Sequence, residues 1–132
     1  MSAFAGGRID HVMLPVAELE RSLAFYALMF GMVVIRRRDA RQGRPQAAHI
    51  GYDGGSAQST IELIEVTPPS EGHAKSGSGH ICIHLPDMAA FRETIRAHGI
   101  LTEGVSSLAP EGDRIWIRDP DGHVLEIVSR PG

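Results

Sequence analysis

A strand-then-helix stretch decides the fold; it opens with residues 9–16, sequence IDHVMLPV, and runs to Gly31. Alternate side chains of a strand point to opposite faces, so the apolar residues at every second position from Val12 share one face and His11 lies on the other. Four apolar residues then recur at steps of four, three and four, which predicts an amphipathic helix: Leu19, Leu23, Tyr26 and Phe30. Gly31 suits the left-handed residue that often ends a helix.

The same order returns in the second half of the chain, where residues 80–85 read HICIHL. Asp87 suits a helix N-cap, an apolar stripe follows at helical spacing, and Gly99 ends the helix. The separation from His11 to Gly31 is 20 residues, and that from His80 to Gly99 is 19. The chain is therefore predicted to contain two copies of one structural unit.

Each predicted helix is followed by about three strands. In the first half we predict strands at 32–35, 47–52 and 60–66, with a basic loop at 36–45. In the second half we predict strands at 100–105, 114–118 and 123–129. The last two strands are joined by Asp119-Pro120-Asp121-Gly122, a sequence typical of a type I turn.

This order predicts an α+β fold in which two βαβββ modules form an open curved mixed β-sheet with the helices outside. We expect one domain over residues 1–132, with module 1 at about 8–66, a linker at about 67–79 and module 2 at about 80–130. The inward faces of the two modules would line a concave pocket for a small molecule.

The composition agrees with a globular chain and argues against several classes of protein. A chain of 132 residues with 42% hydrophobic residues fits one domain with a core. A net charge of −3 gives no sign of a nucleic-acid binder. No apolar run approaches the ~18 residues of a membrane span, and the first residues lack the features of a signal peptide. The single cysteine, Cys82, excludes an intrachain disulfide and favours the cytoplasm.

Two histidines and two glutamates occupy matching places in the two halves. His11 and His80 lie near the start of the first strand of each half. Glu62 and Glu126 each interrupt a last strand that is otherwise apolar, and a buried carboxylate is costly unless it is paired or bound to a metal. Two imidazoles and two carboxylates suit a divalent ion with room for water or substrate. Spacing alone does not distinguish a metal site from the alternative, in which the histidines only form hydrogen bonds and the glutamates face solvent.

With these residues, the chain resembles the vicinal oxygen chelate superfamily, which contains glyoxalase I, methylmalonyl-CoA epimerase, extradiol dioxygenases and bleomycin-resistance proteins. The resemblance runs from Ile9 to Ser129. In the first half it begins at 9–12, continues to 23–26, and includes 30–32, 51–52 and 61–63. In the second half it includes 79–81, and it then begins at 119–122 and continues to 125–127. The helix phrase and the Asp-Pro-Asp-Gly turn are shared widely and identify the fold. The order histidine, glutamate, histidine, glutamate is narrower and is similar to that of metal-binding glyoxalase I.

The resemblance implies a metal site and a reaction. One divalent ion per site, of nickel, zinc, cobalt, manganese or iron(II), would be held by His11, Glu62, His80 and Glu126. A ligand glutamate would move a proton between neighbouring carbons while the metal stabilises an enediolate. By position Glu126 would be the main base, and Glu62 would serve on the other face. Resembling proteins of this size are commonly homodimers whose sites combine the first half of one subunit with the second half of the other.

The chain departs from glyoxalase I where that enzyme grips glutathione. Enzymes of the glyoxalase I type have an arginine, an asparagine or another arginine at three positions that contact glutathione. In this chain those positions hold Pro15, Val66 and Ser76, in the same order. The resemblance therefore implies the metal chemistry but not the glutathione specificity. Three further residues are candidates for the wall of the substrate pocket: His84, His49 and Trp116.

Three classes of function stay open. The first is a metal-dependent lyase or isomerase that moves a proton next to a carbonyl. The second is an iron(II) oxygenase of the extradiol type, which would use His11, His80 and Glu126 and leave Glu62 without a role. The third is a metal-free protein that binds a drug or metabolite, like the bleomycin-resistance proteins, which usually lack the ligand set. All three act on or bind a small molecule, and none requires a nucleic acid or a membrane.

Overall fold

The computed structural model describes residues 2–53, 58–66, 79–109 and 112–130. Within these residues, one strand, one helix and three strands follow each other twice along the chain. The elements are β1 His11–Val16, α1 Leu19–Phe30, β2 Val33–Arg38, β3 Ala47–Gly51, β4 Thr60–Glu65, β5 Ile81–His84, α2 Met88–His98, β6 Gly104–Ala109, β7 Gly112–Arg118 and β8 Val124–Ser129. The predicted α+β class with two βαβββ modules is confirmed.

The chain divides into two compact units, Met1–Ala27 with Gly31–Pro69 and Leu28–Phe30 with Ser70–Gly132. The predicted linker, 67–79, lies outside the described residues except for Gly79, and its bounds stay a prediction. No helix in the described ranges is long and apolar enough to cross a membrane.

The sheet of module 1 has the strand order β1-β4-β3-β2 and is mixed, because β1 and β4 are parallel while the other pairs are antiparallel. The carboxylate of Glu65 fixes the start of α1, since its Oε2 accepts hydrogen bonds from the Leu19 backbone N–H at 2.8 Å and from Gln46 Nε2 at 2.9 Å. Gly31 ends α1 at φ 67°, as predicted. The largest fully buried side chains of this sheet and helix are Val16, Leu19, Tyr26, Ile50 and Leu63.

The sheet of module 2 repeats this arrangement with the order β5-β8-β7-β6 and a parallel β5–β8 pair. The predicted N-cap is confirmed, because Asp87 Oδ1 accepts a hydrogen bond from Ala90 N–H at 2.9 Å. Asp119 orders the predicted turn, since its Oδ1 accepts from the N–H groups of Asp121 and His123 at 2.9 Å each. The largest fully buried side chains of the module 2 sheet are Ile115, Ile117, Leu125 and Ile127.

Two predicted strands differ most from their bounds in the structure. β2 continues through Arg38, so residues 36–38 form strand rather than loop, with Arg36 opposite His49. A basic run is compatible with strand here because β2 ends the sheet order, and charged side chains are well tolerated on such strands. The predicted strand 100–105 is wrong for most of its length, since β6 begins at Gly104, where pairing with Trp116 starts. Leu101, an apolar residue within the predicted range, is 85% exposed.

Candidate metal centre

Strand pairing gives the four predicted ligands equivalent positions in the two modules. Glu62 lies opposite Met13 of β1 in module 1, and Glu126 lies opposite Cys82 of β5 in module 2. His11 comes two residues before Met13, and His80 comes two residues before Cys82. Because residues two apart on an extended chain point to one side, each histidine shares a sheet face with its glutamate.

In module 1 the glutamate lies between two histidines. His11 Nε2 is 3.5 Å from Glu62 Oε1, and His49 Nε2 is 3.4 Å from Glu62 Oε2. The ligand atoms of these three residues all lie within 4.8 Å of one another. His49 and Glu62 each have 14% of the side chain exposed, whereas His11 has 38% exposed. The structure thus brings His11 and Glu62 together as predicted and adds His49, which was predicted only as a pocket residue.

The second ring nitrogen of each histidine in module 1 has a partner of its own. His11 Nδ1–H donates to Asp10 Oδ2 at 2.8 Å, and this hydrogen bond, with the nearby charges of Arg8 and Arg36, lowers the pKa of Asp10. His49 Nδ1 shares a hydrogen bond of 2.9 Å with Thr60 Oγ1. An anchored ring of this kind is typical of histidines that bind a metal through the other nitrogen.

The surroundings of His49 favour its neutral form. Burial lowers the pKa of His49, and the positive charge of Arg36 lowers it further. A neutral imidazole keeps a lone pair free, which is the form that coordinates a metal ion.

In module 2 the second glutamate contacts the second histidine directly. His80 Nε2 lies 2.9 Å from Glu126 Oε1, and Glu126 is only 9% exposed. Trp116 pairs with Glu126 across the strands, and its ring meets the His80 ring edge to face at a centroid distance of 4.6 Å. His80 and Glu126 are therefore brought together as predicted, with Trp116 packed on the histidine.

Each glutamate also has an arginine close to it, which the sequence interpretation missed. Arg38 Nη1 lies 3.8 Å from Glu62 Oε2, and Arg114 Nε lies 2.5 Å from Glu126 Oε2. Strand alternation predicts that Arg114 lies on the same face as Trp116, because it comes two residues earlier in the strand. Arg38 was missed because residues 36–45 were interpreted as loop.

A cavity of about 200 Å³ opens beside Glu62. His49 lines it, and its role in a substrate pocket stays a prediction. Three consecutive arginines of β2 surround it as well, and the full lining is Arg36, Arg37, Arg38, Ala47, His49 and Glu62. The cavity therefore combines ligand-type side chains with positive charge.

The remaining predicted residues are placed as follows. His84 is exposed on β5, opposite Val128, and its role in a pocket stays a prediction. Pro15 lies in β1, and Val66 directly follows β4, where its N–H donates to the Val16 carbonyl at 2.9 Å. Ser76 lies outside the described residues.

The donor set in each module fits a divalent transition metal. Metal–ligand bonds of about 2.0–2.2 Å place neighbouring donor atoms about 3 Å apart. The nitrogen–oxygen separations of 2.9 Å in module 2 and 3.4–3.5 Å in module 1 need only small shifts to meet this value. Imidazole nitrogen with carboxylate oxygen suits nickel, zinc, cobalt, manganese or iron(II).

Comparison with known proteins gives consistent matches over nearly the whole chain. The family model described as Glyoxalase/Bleomycin resistance protein/Dioxygenase superfamily matches residues 8–127. A probable lactoylglutathione lyase of Vibrio cholerae is 31% identical over 123 residues, which cover 92% of this chain and 89% of that protein. A putative lactoylglutathione lyase of Brassica oleracea is 30% identical over 93% of this chain, but the chain spans only 44% of its length.

Among solved structures, a trypanothione-dependent glyoxalase I of Leishmania major superposes with a TM-score of 0.77 at 25% sequence identity. The match covers 94% of this chain and 87% of that one.

Proposed function

Because the chain belongs to the Glyoxalase/Bleomycin resistance protein/Dioxygenase superfamily, we propose that it is a metal-dependent lyase or isomerase related to glyoxalase I. Its reaction moves a proton between carbons next to a carbonyl of a small-molecule substrate. The observation that carries the proposal is the equivalent His–Glu pair in each module, His11 with Glu62 and His80 with Glu126. The similarity to proteins named lactoylglutathione lyase supports the same reaction class.

The proposed cofactor is one divalent ion per site, held by His11, Glu62, His80 and Glu126. When bound, such an ion stabilises negative charge that develops on a substrate oxygen. The equivalence of the two modules supports this set, since each contributes one nitrogen and one oxygen donor from matching strand positions. Nickel, zinc, cobalt, manganese and iron(II) all accept such donors.

Proton transfer is assigned to the glutamates, with Glu126 as the main base and Glu62 serving the opposite face of the substrate. A general base must be held within reach of the proton that it removes, and Glu126 is held on a sheet face at only 9% exposure. The ion pair of Arg114 with Oε2 fixes the carboxylate, so that Oε1 faces His80. Arg114 is therefore a positioning residue for the proposed base.

The two other classes of function are disfavoured by particular contacts. An extradiol-type dioxygenase would use His11, His80 and Glu126, but Glu62 lies 3.5 Å from His11 and would then have no role. A metal-free binding protein of the bleomycin-resistance kind has no need of two equivalent His–Glu pairs. Both stay as the alternatives that the experiment below separates from the lyase or isomerase.

The proposal includes a homodimer in which each site takes His11 and Glu62 from one subunit and His80 and Glu126 from the other. Twofold symmetry then produces two equivalent sites. The proposed location is the cytoplasm, which the single cysteine favours.

The proposed function is tested by metal analysis of the purified protein, followed by turnover assays on hemithioacetals, acyl-CoA thioesters and catechols. We expect one divalent ion per chain, and exchange of a proton next to a carbonyl with solvent deuterium, measured by NMR. Oxygen consumption with catechols alone would establish the dioxygenase instead. A metal-free protein that binds its ligands unchanged would establish the binding class.

We predict weak or no turnover of the glutathione–methylglyoxal hemithioacetal. Pro15 and Val66 offer no charged or amide side chain where glyoxalase I grips the tripeptide. Steady-state kinetics on the metal-loaded protein, with a bacterial lactoylglutathione lyase as positive control, measures this. A kcat/KM above about 10⁵ M⁻¹s⁻¹, well within the range of efficient enzymes, would instead identify a glutathione-dependent enzyme.

A further inference from the structure

We propose that His49 is a metal ligand, so that module 1 alone carries three donors for one divalent transition-metal ion: His11, His49 and Glu62. The inference deepens the metal site proposed above and rests on it for the shared ligands His11 and Glu62. It adds a donor that the equivalent position of module 2 does not possess.

The geometry of the three side chains carries the proposal. The Nε2 atoms of His11 and His49 lie 3.5 and 3.4 Å from different oxygens of the same carboxylate, Glu62. The two imidazole rings meet edge to face with their centroids 4.7 Å apart. With all three ligand atoms within 4.8 Å of one another, shifts of less than about 1 Å would bring each atom to bonding distance of one ion.

The outer nitrogens of both rings are anchored in the way that metal-bound histidines require. His11 donates Nδ1–H to Asp10, which leaves the Nε2 lone pair directed toward the centre of the cluster. For His49, the contact of Nδ1 with Thr60 Oγ1 at 2.9 Å is shorter than its 3.3 Å contact with Arg36 Nη2. With a metal bound through Nε2, Nδ1–H of His49 would donate to the Thr60 hydroxyl, whereas the Arg36 contact requires Nδ1 to accept.

The comparison between modules shows why His49 is distinctive. His49 lies opposite Glu62 in the β3–β4 pair, and Trp116 lies opposite Glu126 in the β7–β8 pair. An indole has no lone pair for a metal, so at these matching positions module 2 supplies two donors where module 1 supplies three. Module 1 should therefore retain an ion even when both donors of module 2 are removed.

The test uses Co²⁺ as the probe and isothermal titration on the full chain. We expect His49→Phe to weaken Co²⁺ binding by about 100-fold, at the upper end of the losses seen when even the outer partners of metal ligands are removed. His98→Phe, at the exposed end of α2, is the matched control and should bind as the wild type does. The double variant His80→Ala/Glu126→Ala should still bind one Co²⁺ per chain.

X-ray absorption on the Zn²⁺-loaded wild-type protein counts the imidazoles without any variant, so the test does not depend on the folding of His49→Phe. Three imidazoles per zinc support the proposal. Two imidazoles, with unchanged Co²⁺ affinity in His49→Phe, would overturn the role of His49 and leave the proposed function standing. A wild-type protein that binds neither ion would overturn both.

Discussion

Replacing Glu126 by glutamine should lower turnover by about 10³-fold while leaving the protein folded. Glutamine has nearly the same size and still forms hydrogen bonds, but its amide cannot accept a proton from carbon. General bases typically contribute 10²–10⁴-fold to a rate, and Glu126 is the base assigned to the reaction. Steady-state kinetics, with circular dichroism as the folding check, measures the effect.

Glu103→Gln is a matched control for this change. Glu103 also pairs with an arginine in module 2, since Arg118 Nε lies 2.7 Å from its Oε2, but it is exposed and has no assigned role. The control should retain wild-type turnover. Metal content must be measured for both variants, because Glu126→Gln could also lower turnover by losing the metal ion rather than the base. Full activity in a metal-loaded Glu126→Gln protein would remove Glu126 as the base.

Mixing two inactive chains, His11→Ala and Glu126→Ala, should restore activity if the sites are shared across a homodimer. In the mixed dimer one site carries both lesions and the other carries none. Half of the dimers in an equal mixture are mixed, and each has one intact site of two, so about a quarter of wild-type activity should return. Each variant alone, refolded in the same way, is the control.

Activity that stays at the level of the separate variants would contradict the shared site. Light scattering provides an independent measurement of the assembly. A monomer mass under dilute conditions with activity retained would rule out sites built from two subunits and would place all four ligands within one chain.

Much of the fold was predictable because the chain repeats one pattern of strand, helix and glycine. The two copies begin at His11 and His80, and both helices end at glycines with positive φ, Gly31 and Gly99. Local signals sufficed there, since periodicity and helix caps depend on neighbours in sequence. Strand bounds were less predictable, because residues 36–38 are strand through pairing with β3, which no local pattern records.

The candidate site divides in the same way. The pairs His11–Glu62 and His80–Glu126 could be inferred from symmetry between the halves. The contact of Arg114 with Glu126 could be inferred only in part, because alternation places Arg114 on the face of Trp116 but the contact depends on how β7 lies against β8. The three-residue cluster was missed for the same reason, since His49 reaches Glu62 only through the β3–β4 register.

The most direct test of the central claim is a crystal structure of the metal-loaded protein with an anomalous difference map at the metal edge. One peak per site is expected, with side-chain atoms of His11, Glu62, His80 and Glu126 about 2.0–2.6 Å away, and with Nε2 of His49 as the additional ligand proposed above. A peak bound by His11, His49 and Glu62 alone would contradict the four-ligand site while supporting the role of His49. Crystals soaked in nickel or zinc that show His80 and Glu126 turned away from any ion would contradict the account.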